Sequence, residues 1–301
     1  MRILVTGRDG QLGWELERAL RPLGEVVAVG RADCDLARPA QVREAIRAAH
    51  PQLVVNAAAY TAVDQAESEP ALAQAINGDA PGLIAQEAKR LGAALIHYST
   101  DYVFDGRKAT PYVETDATNP LSVYGRTKLA GEQAIAAAGV PHLILRTSWV
   151  YAARGRNFVR TILRLARERP TITVVDDQWG APTWARTIAE ATSSIVAHAR
   201  AVGNDVGAAF VEHGGIHHLT AVGATTWYEF ARAVLEQVAD PARRLQRLLP
   251  IASIDYVTAA ARPANSRLDC SRVTRSWGLT LPAWDVALAA CLRDFDLATP
   301  A

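Results

Sequence analysis

The sequence predicts an α/β protein: a doubly wound parallel sheet followed by a smaller, mixed α/β C-terminal unit. Three observations carry this. Short apolar, β-branched runs alternate with helical patterns four times from the N-terminus, as in a parallel sheet covered on both faces. A glycine-spaced turn joins the first run directly to the first helix. Beyond Tyr151 the alternation loosens into shorter elements.

Arg2-Ile-Leu-Val-Thr-Gly7 is long enough for a buried parallel strand, and it feeds Gly7-Arg-Asp-Gly10-Gln-Leu-Gly13 and then the helical spacing Leu12, Leu16, Ala19, Leu20. Glycines so placed let the chain turn sharply, approach a pyrophosphate and pack helix on strand, with the helix N-terminus facing the phosphate charge. The spacing is Gly-x-x-Gly-x-x-Gly, and strand before and helix after supply the context that dinucleotide binding requires. A Rossmann-type, NAD(P)-binding domain is therefore expected over residues 1–150.

Glu25-Val-Val-Ala-Val-Gly30 is the second strand. A carboxylate at its tip would bind the adenosine ribose hydroxyls, but here Gly30 is followed by Arg31. The missing acid and the arginine favour a 2′-phosphate, hence NADPH, with NADH possible and with Arg8 placed to help. Asp33-Cys-Asp35-Leu36 follows, where an acid could accept from the adenine amino group. Leu53 to Ala59 is a third strand ending in small residues, Ala71 to Leu91 a helix, and Ala94-Leu-Ile-His-Tyr-Ser99 a fourth strand. That strand delivers Ser99-Thr100-Asp101 to the carboxyl edge, where ligands of open sheets bind. His97 lies inside it and reads as a packed core histidine. His142 to Val150 is the fifth strand.

In Asn119-Pro-Leu-Ser-Val-Tyr-Gly-Arg-Thr-Lys-Leu-Ala-Gly-Glu132, Pro120 precedes an Ala-rich run that Gly139 closes, the pattern of a helix. Tyr124 and Lys128, four apart, share one helix face, so phenol and ammonium can converge on one ligand. A phenol titrates near ~10, and a nearby cation is expected to favour its ionised form. A proton donor beside a fixed cation suits a carbonyl that becomes an alcohol as it accepts hydride. A solvated face carrying an incidental pair is the plain alternative, but only Lys89, Lys108 and Lys128 exist in the chain.

Beyond Tyr151, Asn157 to Arg169 reads as a basic amphipathic helix, Thr171 to Val175 as a strand, and Gly180 to Thr183 as the lead into a helix that reaches His198. Ile216-His-His-Leu219 is a candidate further strand of the main sheet, Thr225–Glu229 starts a helix with a Thr cap, and a last helix follows Pro282. Returns to the first domain are expected near 183–220, with residues 151–182 and 221–301 forming the substrate domain. Adjacent strand residues point to opposite faces, so His217 and His218 read as structural and no metal site is assigned.

Composition narrows the classes. A formal net charge of +1 argues for neither a nucleic-acid nor a membrane surface. Three cysteines, odd in number and without ligand spacing, suit a reducing cytoplasm. The N-terminus breaks at Gly7, too soon for a signal peptide, and no run approaches the roughly 20 apolar residues of a membrane span.

Together these stretches resemble the extended short-chain dehydrogenase/reductase superfamily and, within it, the dTDP-4-dehydrorhamnose reductase family. The glycine loop and Tyr-x-x-x-Lys mark only the superfamily. Asn56–Asp64 and Tyr98–Asp105 extend the likeness, and Arg146–Tyr151, Asp177–Thr183 and Arg262–Asp269 are its most specific stretches. The resemblance implies NADPH-dependent reduction of a dTDP-sugar ketone at C4, by a monomer or homodimer. It implies Tyr124 as the acid, Lys128 on the nicotinamide ribose and Thr100 on the substrate oxygen. It puts Gly7, Gly10, Gln11, Leu12 and Gly13 at the pyrophosphate, and Asp35 and Leu36 at the adenine. Ala59, Tyr60 and Thr61 fall beside ribose and phosphates, and Thr100, Asp101 and Trp149 against the sugar nucleotide. Arg262, Asn265 and Ser266 fall at its diphosphate, a guanidinium fork suiting two phosphate oxygens; structural salt bridges are the alternative there. Some relatives dimerise through a glutamate-held Mg²⁺; Glu15 is present, but Arg186 stands where another glutamate aligns, leaving Mg²⁺ uncertain. A dehydratase would need a second acid after Asp101, where this chain has Tyr102. An epimerase on the same scaffold and a non-catalytic dinucleotide-binding regulatory subunit are the remaining alternatives.

Overall fold

The computed structural model describes residues 1–203 and 205–295. β1 (Arg2–Thr6), β2 (Glu25–Val29), β3 (Leu53–Asn56), β4 (Ala94–Thr100), β5 (His142–Thr147) and β6 (Gly215–His218) form a six-stranded sheet, every neighbouring pair parallel. The spatial order is β6-β5-β4-β3-β1-β2. The chain steps from β1 out to β2 and returns to the other side of β1 for β3, so the winding reverses between β1 and β3. A crevice opens at the carboxyl ends of strands at such a reversal.

Strand residues alternate between two cores, which is why these strands read as unbroken apolar runs. Ile3, Val5, Val55 and Ile96 pack with Leu16 and Ile188 from the helices Gln11–Leu20 and Ala185–Gly203. Leu4, Val54, Leu95 and Ile144 pack with Val42, Ile46 and Ile84 from Pro39–Ala49 and Ala80–Arg90. Each such fully buried side chain contributes roughly 1.5–3 kcal/mol.

A third core lies beyond β5. Val159, Ile162, Leu163 and Ala166 are the buried stripe of Phe158–Glu168, at helical spacing, while Arg160, Arg164 and Arg167 stand outside it. Asn157 caps this helix by accepting from the Arg160 amide at 3.1 Å. The stripe meets Phe230 and Val234 of Trp227–Gln237 and Leu288 and Cys291 of Trp284–Arg293. Thr171–Val175 pairs in parallel with Arg247–Ile251, separate from the main sheet. Thr226 caps the Trp227–Gln237 helix through the Glu229 amide, 3.1 Å.

The structure departs from sequence expectation at three places. The third strand ends at Asn56, not Ala59, and Ala57–Tyr60 run without regular structure. The fifth ends at Thr147: Trp149 adopts a left-handed φ of 48°, and Val150–Tyr151 pairs instead with Thr183–Trp184. The expected helix from Ala71 to Leu91 is two helices, Pro70–Gln74 and Ala80–Arg90, joined by a π-helical turn over Ala75–Asp79. Pro81 has no N–H to serve the carbonyl four residues back, that of Asn77, so the wider turn takes up the defect.

Candidate active site

At the β1–β3 crevice the first loop is built from backbone alone. Gly7 has φ 79°, and a Cβ there would lie 2.8 Å from the Ala58 amide nitrogen on the β3 side. A Cβ on Gly13 would overlap the Gly7 carbonyl. Helix Gln11–Leu20 is thus pressed against the loop, and its N-cap, Gly10, carries no side chain to cover the first N–H groups. The cradle fits a pyrophosphate, and NADPH would be held here. Gln11 borders it and accepts from Asn157 Nδ2 at 2.9 Å, while Leu12 is buried in the core.

At the tip of β2, Arg31 is exposed, 3.7 Å from Asp35. Arg8 is held by the Ala28 carbonyl at 3.1 Å and by Asp33 at 3.0 Å. A side chain at Gly30 would meet the exposed Asp9 carboxylate, which would have to turn aside. The Asp35 carboxylate accepts from the Ala37 amide at 3.0 Å, and Leu36 turns into the core.

Ala59, Tyr60 and Thr61 follow β3 at the same edge. The π-helical turn fixes them: Tyr60 N–H donates to Asn77 Oδ1 at 2.9 Å, and Asn77 Nδ2 returns a bond to the Tyr60 carbonyl at 3.0 Å. The Tyr60 hydroxyl donates to Glu69 at 2.7 Å, and burial with that carboxylate pushes its pKa up to about 12. Asn77 was missed by sequence reasoning, although Asn77-Gly78 inside a helical pattern is a break signal.

Thr100 and the Tyr124–Lys128 helix meet at the end of β4. Ser122 caps the helix Val123–Ala138 by accepting from the Gly125 amide at 3.1 Å. Only glycine fits at 125, because a Cβ would overlap the Tyr102 carbonyl. This close approach brings the Tyr124 phenol into the neighbourhood of Thr100, which acts to favour its ionised form. Thr100 in turn donates to Asp101 at 2.9 Å. The Tyr102 ring stands edge-on to Tyr124, with centroids 5.9 Å apart.

Burial sets the electrostatics. The Tyr124 phenol is pushed up to about 12, opposite to the expected lowering, because desolvation outweighs the Thr100 bond and the Asp101 charge adds to the rise. Lys128 does not offset this: its ammonium donates to the Tyr98 carbonyl at 2.6 Å and faces His97 Nε2 at 3.2 Å. Burial lowers Lys128 to about 8. Asp101 is raised to about 6 by burial, against bonds from Ser266, Thr100 and Ser148. At neutral pH the site thus holds a protonated phenol beside a buried lysine.

Trp149 stacks on Trp227 with centroids 3.5 Å apart, and its ring fills the space that a Cβ on Gly180 would need. This packing holds a left-handed Trp, a conformation that costs about 1–3 kcal/mol. Trp227 was not singled out from the sequence. Arg262 forks onto Asp64 at 3.0 and 2.7 Å. Asn265 donates to the Lys108 and Thr110 carbonyls at 2.7 and 3.0 Å, and the Ser266 N–H donates to the Trp179 carbonyl at 2.7 Å.

Glu15 accepts from Arg186 at 3.2 Å, and the same guanidinium pairs with Asp294 at 2.6 Å. A guanidinium therefore neutralises this carboxylate pair, with Glu190 also close by, and Mg²⁺ stays unassigned. No group of three or more potential metal ligands occurs among the described residues.

Sheet order, glycine cradle and the Thr–Tyr–Lys cluster define a nicotinamide-dependent reductase of the extended short-chain dehydrogenase/reductase type. Comparison narrows this. The family described as RmlD substrate binding domain matches residues 1–297. A dTDP-4-dehydrorhamnose reductase of Burkholderia thailandensis is 48% identical over 98% of this chain and 99% of its own, and that of Escherichia coli K12 is 47% identical over 98% of each. The solved dTDP-4-dehydrorhamnose reductase of Bacillus anthracis, in complex with NADP, superposes with a TM-score of 0.87 at 30% identity, covering 98% of this chain and 99% of that one. The chain belongs to the dTDP-4-dehydrorhamnose reductase family.

Proposed function

We propose that the chain reduces the C4 ketone of dTDP-4-dehydro-6-deoxy-L-mannose to dTDP-L-rhamnose with NADPH. One observation carries the reading: Thr100 and Tyr124 come together at the carboxyl edge, with Lys128 one turn along the same helix and the glycine cradle at the same edge of the sheet. Bound NADPH supplies hydride to C4. Thr100 orients the ketone oxygen, and Tyr124, protonated at neutral pH, delivers its proton to that oxygen as the carbonyl becomes an alcohol. The Lys128 ammonium holds the nicotinamide ribose and favours the phenolate left behind. Trp149 and Asp101 line the sugar side, and Arg31 with Arg8 reads the 2′-phosphate. Arg262 would exchange Asp64 for the diphosphate. Tyr102 in place of a second acid argues against elimination of water. The proposed setting is the cytoplasm, which suits three free thiols; no helix among the described residues is long and apolar enough to cross a membrane.

The test follows loss of nicotinamide absorbance with the dTDP-sugar, NADPH and NADH run separately and the UDP analogue as control. Turnover with the dTDP-sugar and NADPH is expected. Tight NADPH binding without turnover would overturn the enzymatic reading in favour of a regulatory dinucleotide binder.

A further inference from the structure

Beneath the catalytic trio a file of polar side chains runs across the sheet. The Thr6 hydroxyl donates to Asn56 Oδ1 at 2.6 Å, Asn56 Nδ2 meets His97 Nδ1 at 3.0 Å, and His97 Nε2 lies 3.2 Å from Lys128 Nζ. None of the four residues is more than 2% exposed. Their strand neighbours Val5, Val55 and Ile96 are apolar, as a covered sheet requires, so this polar file stands out.

Proton counting gives it a direction. An ammonium has three protons to place and no lone pair. At Lys128 the Tyr98 carbonyl takes one, and the next neighbour is the His97 ring. A ring protonated on Nε2 would set two donors face to face and fit only an uncharged amine. A ring protonated on Nδ1 offers Nε2 as acceptor, and a half-turn of the Asn56 amide presents its oxygen to Nδ1–H in the same place. The file therefore has two proton arrangements, one for each charge state of Lys128.

We propose that His97 is a positioning residue: as a neutral ring protonated on Nδ1 it accepts from Lys128, and so keeps that ammonium charged and fixed beside Tyr124. This rests on the reading of Tyr124 and Lys128 as acid and cation. Burial supports it, since His97 is lowered well below the usual histidine range and stays neutral. Lys128, at about 8, loses its charge just above neutral pH. The other charged groups around the lysine are accounted for. Glu132, one turn along the helix, is buried and forked by Arg146 of β5 at 2.9 and 2.6 Å. Tyr124 and Asp101 stand on the substrate side, and Asp79 of the π-helical turn is exposed and bonded by Gln74.

Loss of the acceptor would lower the lysine further and bring the alkaline limb of activity to lower pH. Two variants separate this from mere support of the strand. In H97Q the terminal amide reaches the place of Nε2, whereas in H97N it reaches only that of Nδ1. The limb of kcat against pH is expected to fall by about one unit in H97N, with kcat at pH 8 down about five-fold and the sugar-nucleotide KM within about two-fold. H97Q should restore the wild-type limb. Equal limbs in all three proteins, or equal shifts in both variants, would overturn the proposal. An inactive wild type in the same assay would instead strike the reading it rests on. Should the variants not fold, ¹⁵N imidazole spectra of the wild type decide, with the ring assigned by its Overhauser contact to Lys128. An Nδ1–H tautomer at pH 7 is expected, and an Nε2–H tautomer contradicts the proposal.

Discussion

The glycine turn after β1 and the Tyr124 helix face the same carboxyl edge, yet they are built in opposite ways. The turn is a backbone device: Gly7 and Gly10 in the loop and Gly13 in the first turn of the following helix shape it by the absence of Cβ atoms. The Tyr124 side is a side-chain device, assembled from β1, β3, β4 and the Val123–Ala138 helix, with partners 30 or more residues apart. A backbone site tolerates change in the residues between its glycines. A buried side-chain network transmits every change to the group at its end, because each member satisfies the next.

The largest expected effect breaks the side-chain half alone. Tyr124→Phe should lower kcat about a thousand-fold and leave NADPH affinity nearly unchanged, measured by turnover and by cofactor titration. Gly13→Ala breaks the other half: its Cβ would overlap the Gly7 carbonyl. NADPH binding should become undetectable by titration, and stability should fall by about 1–3 kcal/mol in denaturant melts. If that variant bound cofactor normally, the cradle would not depend on close approach.

A third test sharpens the role of burial. Asp101 titrates near 6 when folded, above its ordinary 3.8, so the folded state holds this proton more tightly than the unfolded chain. Its contribution is present in full below about pH 4 and is lost as pH rises through 6. The Tm of the wild type relative to Asp101→Asn should therefore fall between pH 4 and 6 and level off above. A difference that rises over that window would mean that the carboxylate is stabilised, not penalised, where it lies. The smallest effect is at the surface: Arg31→Ala should weaken NADPH about three- to ten-fold and leave NADH unchanged, read from the two dissociation constants.

The same contrast explains what the sequence made legible. The sheet, the cradle and the Tyr124–Lys128 pair rest on short-range patterns, apolar runs, glycine spacing and helical periodicity, and these were readable directly. A further strand of the main sheet was anticipated at Ile216–Leu219, but its parallel pairing with β5 was not. The π-helical turn was not, because a Pro at position 81 is compatible with an ordinary helix start as well as with a widened turn. Trp149 offered no sign of its left-handed backbone, since the stack that enforces it comes from Trp227 and the close approach from Gly180. His97 was readable as a core residue but not as the neighbour of Lys128. The direction of the Tyr124 shift was also hidden, because residue spacing places a cation nearby without revealing which acceptor holds it.

The most direct measurement of the central claim runs the reaction with NADPH deuterated at the transferring position and locates the label in the sugar by NMR. Deuterium is expected at C4 of the 6-deoxyhexose in a dTDP-linked product. Label elsewhere in the ring, or none in a product that still forms, would contradict it.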